Sequence, residues 1–206
     1  MKMYTPLSTS RMRKPAIGAA TTLTAFLLTL SSPAHAADVA WIGGNGDWGN
    51  ANNWNPTGVP TSSQIIELAT ASGTQAQING DRTVAGIEFK DLVPDAKNWI
   101  MNSGDAASSL TVTGDVTHTS TRSFRLYSTA TGSLDFSAGS LTLTGAGGEA
   151  TIGGGTDGKI SNTLGTINIG SVSASNGNTV TFLGTDVNLG DVSLTNASTL
   201  NIYNNA

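Results

Sequence analysis

The chain lacks cysteine and is poor in charge, in aromatic residues and in long hydrophobic runs. None of its 206 residues is cysteine, so it can form no disulfide and offers no thiol as a nucleophile or metal ligand. Charged residues make up 12% of the chain and aromatic residues 6%. We therefore expect its stability to come from apolar packing and backbone pairing, in one domain large enough to have a core.

The longest apolar stretch runs from Ala16 to Leu30 and is interrupted only by Gly and Thr. It is shorter than the roughly 20 residues that a membrane-spanning helix needs. The segment before it, which contains Lys2, is basic and has no acid, and Ala34-His35-Ala36 follows as a cleavage pattern. This layout predicts a signal peptide at 1–36, cleaved after Ala36, in preference to a membrane anchor. We expect an exported protein, extracellular or on the outer surface of a bacterium.

The exported part of the chain is poor in basic residues. Four of the ten Lys and Arg residues lie in the signal peptide, so six remain against 14 Asp and Glu, a net charge of −8. Such a surface repels the phosphates of nucleic acids and anionic lipid headgroups. The composition therefore predicts no nucleic-acid partner and no membrane insertion of the mature chain.

A short alternation of apolar and polar residues recurs from Leu110 onward, and Gly, Asn and Ser separate its instances. These are 110–112, 134–136, 141–143, 167–169, 180–182, 187–189, 192–194 and 200–202. Period-two alternation predicts strands with one buried and one exposed face, here short strands that each end in a turn. The fold class expected is all-β, a right-handed parallel β-helix, with an antiparallel β-sandwich as the alternative.

A gapless repeat of 20 residues favours the β-helix. Residues 167–184 align with 187–204 in six identities and four apolar exchanges. Stacked coils would bring Asn168 beside Asn188 and Asn176 beside Asn196, so we predict two asparagine ladders. The resulting domain organisation is a Trp-rich amino-terminal cap at 37–60, irregular first rungs at 61–109 and regular rungs at 110–206.

The opening segment contains three of the four tryptophans, Trp41, Trp48 and Trp54, within 14 residues. Large rings can cover the open end of a stack of coils, each burying on the order of 200 Å². In this interpretation the Asp47 and Asn53 side chains bond turn backbone. The alternative is a glycan-binding platform, which requires exposed, coplanar rings.

The same segment carries a family resemblance. Trp41-x-Gly43, Asp47-Trp48, Asn53-Trp54 and Val59-Pro60 resemble the start of secreted bacterial proteins with autotransporter-associated β-strand repeats and of PEP-CTERM sorted proteins. The resemblance implies a secreted or surface-displayed structural passenger built as a β-solenoid. Such proteins usually continue into a membrane barrel or a sorting tail, so we expect this chain to be the amino-terminal part of a longer solenoid.

The residues that usually perform chemistry are sparse. His118 is the one histidine after the signal peptide, and we expect it to face solvent between Thr117 and Thr119. Two glycine-rich segments, 44–49 and 153–158, match a phosphate loop by letter, but neither precedes a predicted helix. We therefore expect no catalytic residue, no metal and no cofactor.

A polysaccharide lyase or hydrolase is the enzyme alternative, because such enzymes use clustered carboxylates. Asp115, Asp135, Asp186 and Asp191 form no recognisable cluster in the sequence. The expected function is a non-catalytic, secreted or surface-displayed spacer that could also serve in adhesion. The alternative is a β-helix protein that binds or degrades polysaccharide, and an extracellular glycan or matrix is the expected partner.

Overall fold

The computed structural model describes residues 37–69, 75–90, 98–102, 106–128, 132–153 and 164–204, all within one compact unit, Ala34–Ala206. The predicted signal peptide at 1–36 lies outside the described residues. Within these ranges the regular structure is β-strand apart from one 3-10 turn, Ala51–Asn53, which confirms the predicted all-β class.

The strands are short in the first half of the chain and longer in the second. Their bounds are β1 Val39–Trp41, β2 Asn45–Asp47, β3 Trp54–Asn55, β4 Ile65–Leu68, β5 Gln75–Ile78, β6 Arg82–Val84, β7 Gly86–Phe89, β8 Asn98–Asn102, β9 Ser108–His118, β10 Ser123–Ser128, β11 Leu134–Leu143, β12 Glu149–Gly153, β13 Leu164–Ala174, β14 Thr179–Gly184, β15 Asp186–Leu194 and β16 Thr199–Asn204.

The described strands form two sheets that share the chain almost alternately. The nine-stranded sheet has the order β15-β13-β11-β9-β7-β4-β1-β3, with β6 also paired to β9. The seven-stranded sheet has the order β16-β14-β12-β10-β8-β5-β2. The pairings are parallel except between β1 and β3, whereas an antiparallel sandwich would be built from antiparallel neighbours.

Successive strands of the second half pair with a constant offset of 20 residues. In the nine-stranded sheet Ile167 pairs with Val187 and Val172 with Val192. In the seven-stranded sheet Val180 pairs with Leu200. Each apolar position therefore lies directly beside an equivalent apolar position on the next strand, and one hydrophobic cluster extends from Val39 to Phe182. Side chains that alternate inward fill this core from both sheets.

The three long strands β9, β11 and β13 and the last strand β15 are bent, which corrects one sequence expectation. The segments 134–136 and 141–143 belong to one strand, and so do 187–189 and 192–194, with no turn between them. At Gly139-Ser140 in β11 two successive residues lie on the outer side, and the alternation then resumes. A glycine followed by a small polar residue lets the strand change direction while both halves keep their pairing partners.

Candidate functional site

The three tryptophans of the opening segment form one buried cluster. Trp41, Trp48 and Trp54 are at most 1% exposed. Trp54 packs edge-on against both other rings, with centroids 4.8 Å from Trp41 and 4.9 Å from Trp48. The cluster lies where β3 ends the nine-stranded sheet, since Trp41 and Trp54 are partners in the β1–β3 pair. No ring presents an open face on which a sugar could stack.

Polar contacts hold the loop that carries these rings. The indole Nε1 of Trp54 donates to the carbonyl of Trp48 at 2.8 Å, and Trp41 Nε1 donates to Gly44 O at 3.1 Å. Asn53 Nδ2 donates to the backbone carbonyl of Asp47 at 2.8 Å. The Asp47 carboxylate accepts from the backbone N–H of Gly49 at 2.8 Å. Both side chains predicted to bond turn backbone are therefore placed where they do so.

Each of the two predicted asparagine pairs lies side by side on neighbouring strands. Asn188 Nδ2 donates to Asn168 Oδ1 at 3.0 Å, and Asn196 Nδ2 donates to Asn176 Oδ1 at 3.5 Å. A third amide follows the same rule, because Asn201 Nδ2 donates to Thr181 Oγ1 at 3.4 Å. In all three contacts the later residue donates to the earlier one.

Asn176 and Asn196 also occupy turns that need unusual backbone angles. Their φ angles are +60° and +53°, and the following residues, Gly177 and Ala197, are at +74° and +60°. Two successive residues at positive φ make the turn type for which Asn-Gly is the usual sequence. Asn176 Nδ2 further donates to Thr144 O at 3.0 Å, so it binds the preceding coil as well.

A column of small residues crosses the bent strands of the nine-stranded sheet. A Cβ on Gly139 would approach the carbonyl oxygen of Gly114 to 2.8 Å, and one on Gly170 would approach Gly139 O to 2.5 Å. A Cβ on Gly190 would likewise collide with Gly170 O, and one on Gly114 would lie 2.7 Å from Ala85 O. Each glycine therefore leaves room for the backbone of the strand before it.

An open groove of about 490 Å³ lies along this column. Its floor includes Gly170 and Gly190, and one wall is a row of polar side chains, Ser137, Asn168 and Asn188. The row continues to Thr111, whose Oγ1 accepts from Ser137 Oγ at 3.3 Å. The groove offers hydroxyl and amide groups, which suit a neutral polar ligand.

The carboxylates of the described strands bond locally. Asp115 Oδ1 accepts from Ser140 Oγ and Asp135 Oδ1 accepts from the backbone N–H of Thr166, both at 2.7 Å. Asp81 Oδ1 accepts from Ser109 Oγ at 2.7 Å. Among the described residues, no three His, Asp or Glu side chains come close enough to share a metal ion.

One charged cluster, which the sequence analysis did not single out, joins β4 and β7. Lys90 Nζ lies 2.8 Å from Glu67 Oε2 and 2.7 Å from Glu88 Oε2, and the two glutamates are register partners. The hydrogen bond to Glu67, followed by that to Glu88, raises the pKa of Lys90 above its usual 10.5. The ammonium group is held between the two strands.

His118 is buried, contrary to the expectation that it faces solvent. It is 1% exposed and lies between Phe89 and Leu143 in register, with its ring centroid 5.1 Å from that of Phe124. The bend of β9 explains the difference, because residues 116 and 118 beyond it both point inward. Tyr127, also buried, has its pKa raised by the loss of solvation.

The comparisons with known proteins are negative. No helix among the described residues is long and apolar enough to cross a membrane. No protein-family model, curated protein or solved structure matches this chain.

Proposed function

We propose that this chain is a non-catalytic structural β-solenoid, a right-handed parallel β-helix that acts as a stiff extracellular spacer. The observation that carries the proposal is the constant offset of 20 residues along both β13–β15 and β14–β16. Every coil then repeats the preceding one, and the hydrogen bonds between coils run along one axis. A rod built in this way resists bending and offers proteases few loose segments.

The surroundings of the acidic residues support a structural role. A catalytic pair of carboxylates needs a shared site in which two groups face one substrate atom. Here Asp115, Asp135 and Asp81 each accept a short hydrogen bond from a neighbouring strand or loop, and Glu67 and Glu88 share Lys90. These carboxylates fasten strands to one another.

Engineered cysteines test the coil register, and the absence of native cysteine keeps the background clean. Because Ser173 and Ser193 are register partners, we expect the S173C/S193C variant to form a disulfide under mild oxidation. The S173C/N201C variant is the control, since its two positions belong to different sheets. Cross-linking of the control but not of the register pair, measured by mass spectrometry, would contradict the stacked coils.

The cap function of the tryptophan cluster is tested with W48A. The side chain is fully buried, so its removal is expected to destabilise the fold by about 3–5 kcal/mol, seen as a lower urea midpoint. The exposed Asn45 provides a control, and N45A is expected to have a much smaller effect. A glycan platform would instead give unchanged stability and lost glycan binding.

Export is part of the proposal, together with the relationship to autotransporter-associated and PEP-CTERM proteins that the opening motif predicts. In a bacterial host, the protein recovered outside the cytoplasm should begin at Ala37. Mass spectrometry of its amino terminus checks this. Recovery of the uncleaved chain in the cytoplasm, under conditions in which a control secretory protein is processed, would contradict export.

Polysaccharide binding is a second candidate, favoured by the groove of about 490 Å³ and its row of Ser137, Asn168 and Asn188. A neutral glycan chain would lie along the axis, with its hydroxyls bonded to successive coils. The N168A/N188A variant should lose retention on neutral polysaccharide in affinity electrophoresis. N201A removes an amide on the other sheet and should retain it. No retention of the unaltered protein on any neutral polysaccharide would reject this candidate.

A further inference from the structure

The end of the molecule formed by β15 and β16 is open. In the part of the chain that the structure describes, neither strand has a neighbour beyond it, so alternate backbone N–H and C=O groups face outward. Val192, Leu194 and Ile202 occupy positions that are buried on the preceding coil, yet they are 45%, 38% and 47% exposed. The sheet edges and the apolar cross-section are thus presented together.

Three side-chain amides define the polar pattern of this end. Asn188, Asn196 and Asn201 each donate Nδ2 to the preceding coil. Because the amide oxygen points away from its nitrogen, the three Oδ1 atoms are directed toward the open side. An occupant that continues the three rows must place hydrogen-bond donors opposite all three.

Charge adds a second requirement. Along one row of the nine-stranded sheet the order is Asp115, Ser140, Ser171, Asp191, so neighbouring strands never place two acids side by side. Asp186 has Thr166 as its neighbour on the preceding strand. The open end therefore presents two carboxylates, Asp186 and Asp191, that favour hydroxyl or basic side chains and disfavour acids.

We propose that this end is a docking surface for an extended polypeptide coil of complementary pattern, which adds one parallel strand to each sheet. The occupant carries apolar residues opposite Val187, Leu189, Val192, Leu194, Leu200 and Ile202, donors opposite the three asparagines, and non-acidic residues opposite the two aspartates. A second copy of this chain is a poor occupant through the same surface, because a two-fold pairing of β15 with itself would bring four carboxylates to one edge. The docking depends on strand pairing and not on the proposed spacer role.

A peptide of residues 165–184 of this chain is the probe, because it places Thr166 over Asp186 and Ser171 over Asp191 in the repeat register. The matched control peptide carries T166D and S171D, which keep length and hydrophobic pattern but put acid over acid. We expect the first peptide to bind the full chain at least ~tenfold more tightly at low salt, with the difference shrinking at high salt.

Two further measurements locate the binding. Hydrogen exchange should slow by ~tenfold or more at the amides of β15 and β16 on peptide addition, and not at those of β10. V192S should weaken binding, whereas V59S, at a valine 39% exposed elsewhere, should not. Equal binding of both peptides, or protection outside β15 and β16, would overturn the proposal. So would concentration-dependent dimerisation that V192S abolishes while the peptide fails to bind.

Discussion

Lys90 illustrates how a single residue couples two strands. Its ammonium group bridges Glu67 and Glu88, two carboxylates that face each other in register. Without it the two acids would repel each other across the pair. Because the Lys90 side chain is 39% exposed, solvent screens the interaction, and its contribution is modest.

We expect K90M to lower the free energy of unfolding by about 1 kcal/mol at pH 8 and low salt. The pKa of Lys90 is raised in the folded state, so this contribution is present below pH 10.5 and is lost as the pH rises through the folded pKa. The difference between K90M and the unaltered chain should therefore shrink at strongly alkaline pH. Urea unfolding at both pH values measures it.

K90R is the matched control, since it keeps the positive charge and should retain most of the stability. A K90M deficit that grows with pH would contradict the assigned ion pair. Part of the alkaline loss is common to all variants, because burial also raises the pKa of Tyr127.

At the scale of the element, the two turns after β13 and β15 make a paired test of backbone strain. Gly177 and Ala197 occupy equivalent positions at φ +74° and +60°, but only one of them is glycine. An alanine there carries a conformational penalty that glycine avoids. We expect A197G to stabilise the protein by about 0.5–1 kcal/mol in chemical denaturation.

The reciprocal change, G177A, should destabilise it by a similar amount. If A197G were to destabilise the protein while G177A had no effect, the assigned turn geometry would be wrong. The Asn-Gly pair at 176–177 is also the part of this turn that the sequence makes predictable.

The bend of the long strands gives a second prediction at this scale. Because a Cβ on Gly170 would lie 2.5 Å from Gly139 O, G170A forces two backbones apart. We expect a loss of about 1–3 kcal/mol, measured by thermal or urea unfolding. S173A, on the exposed face of the same strand, should change stability by less than about 0.5 kcal/mol. A neutral G170A would show that the strands can separate at the bend without cost.

At the scale of the whole molecule, coils that contact only their neighbours should be removable one at a time. A chain that stops after Thr185 lacks β15 and β16 and exposes Ile169 and Phe182 instead. We expect it to remain folded by circular dichroism, with a lower urea midpoint than the longer chain. Complete unfolding would mean that the last coil is indispensable, which nearest-neighbour stacking does not predict.

The sequence made the repeating part of the fold predictable and left the irregular part open. Apolar alternation located the strands around Ile167 and Val187, and the 20-residue repeat gave their pairing. The bends at Gly139 and Gly190 were missed, because a break in alternation has the same appearance as a turn between two strands. His118 could have been placed inward from Val116, which shares its parity beyond the bend.

The remaining contacts had no signal of this kind. Lys90 and Glu67 are 23 residues apart in a region without a repeat, so nothing in the sequence brings them together. The groove depends on the absence of side chains at aligned glycines, which becomes visible only once the register is known. Local patterns therefore predict strands and turns, while contacts between unlike coils need coordinates.

The tryptophan cluster and the open strand edges lie at opposite ends of the two sheets, which gives the molecule a direction. Lengthening is possible only at the edge where backbone groups remain available, because the rings obstruct the other terminus. Any series of such coils would be counted from the tryptophans outward. The Trp segment would then serve as the zero mark of a molecular ruler whose reach increases by about 4.8 Å with each added coil.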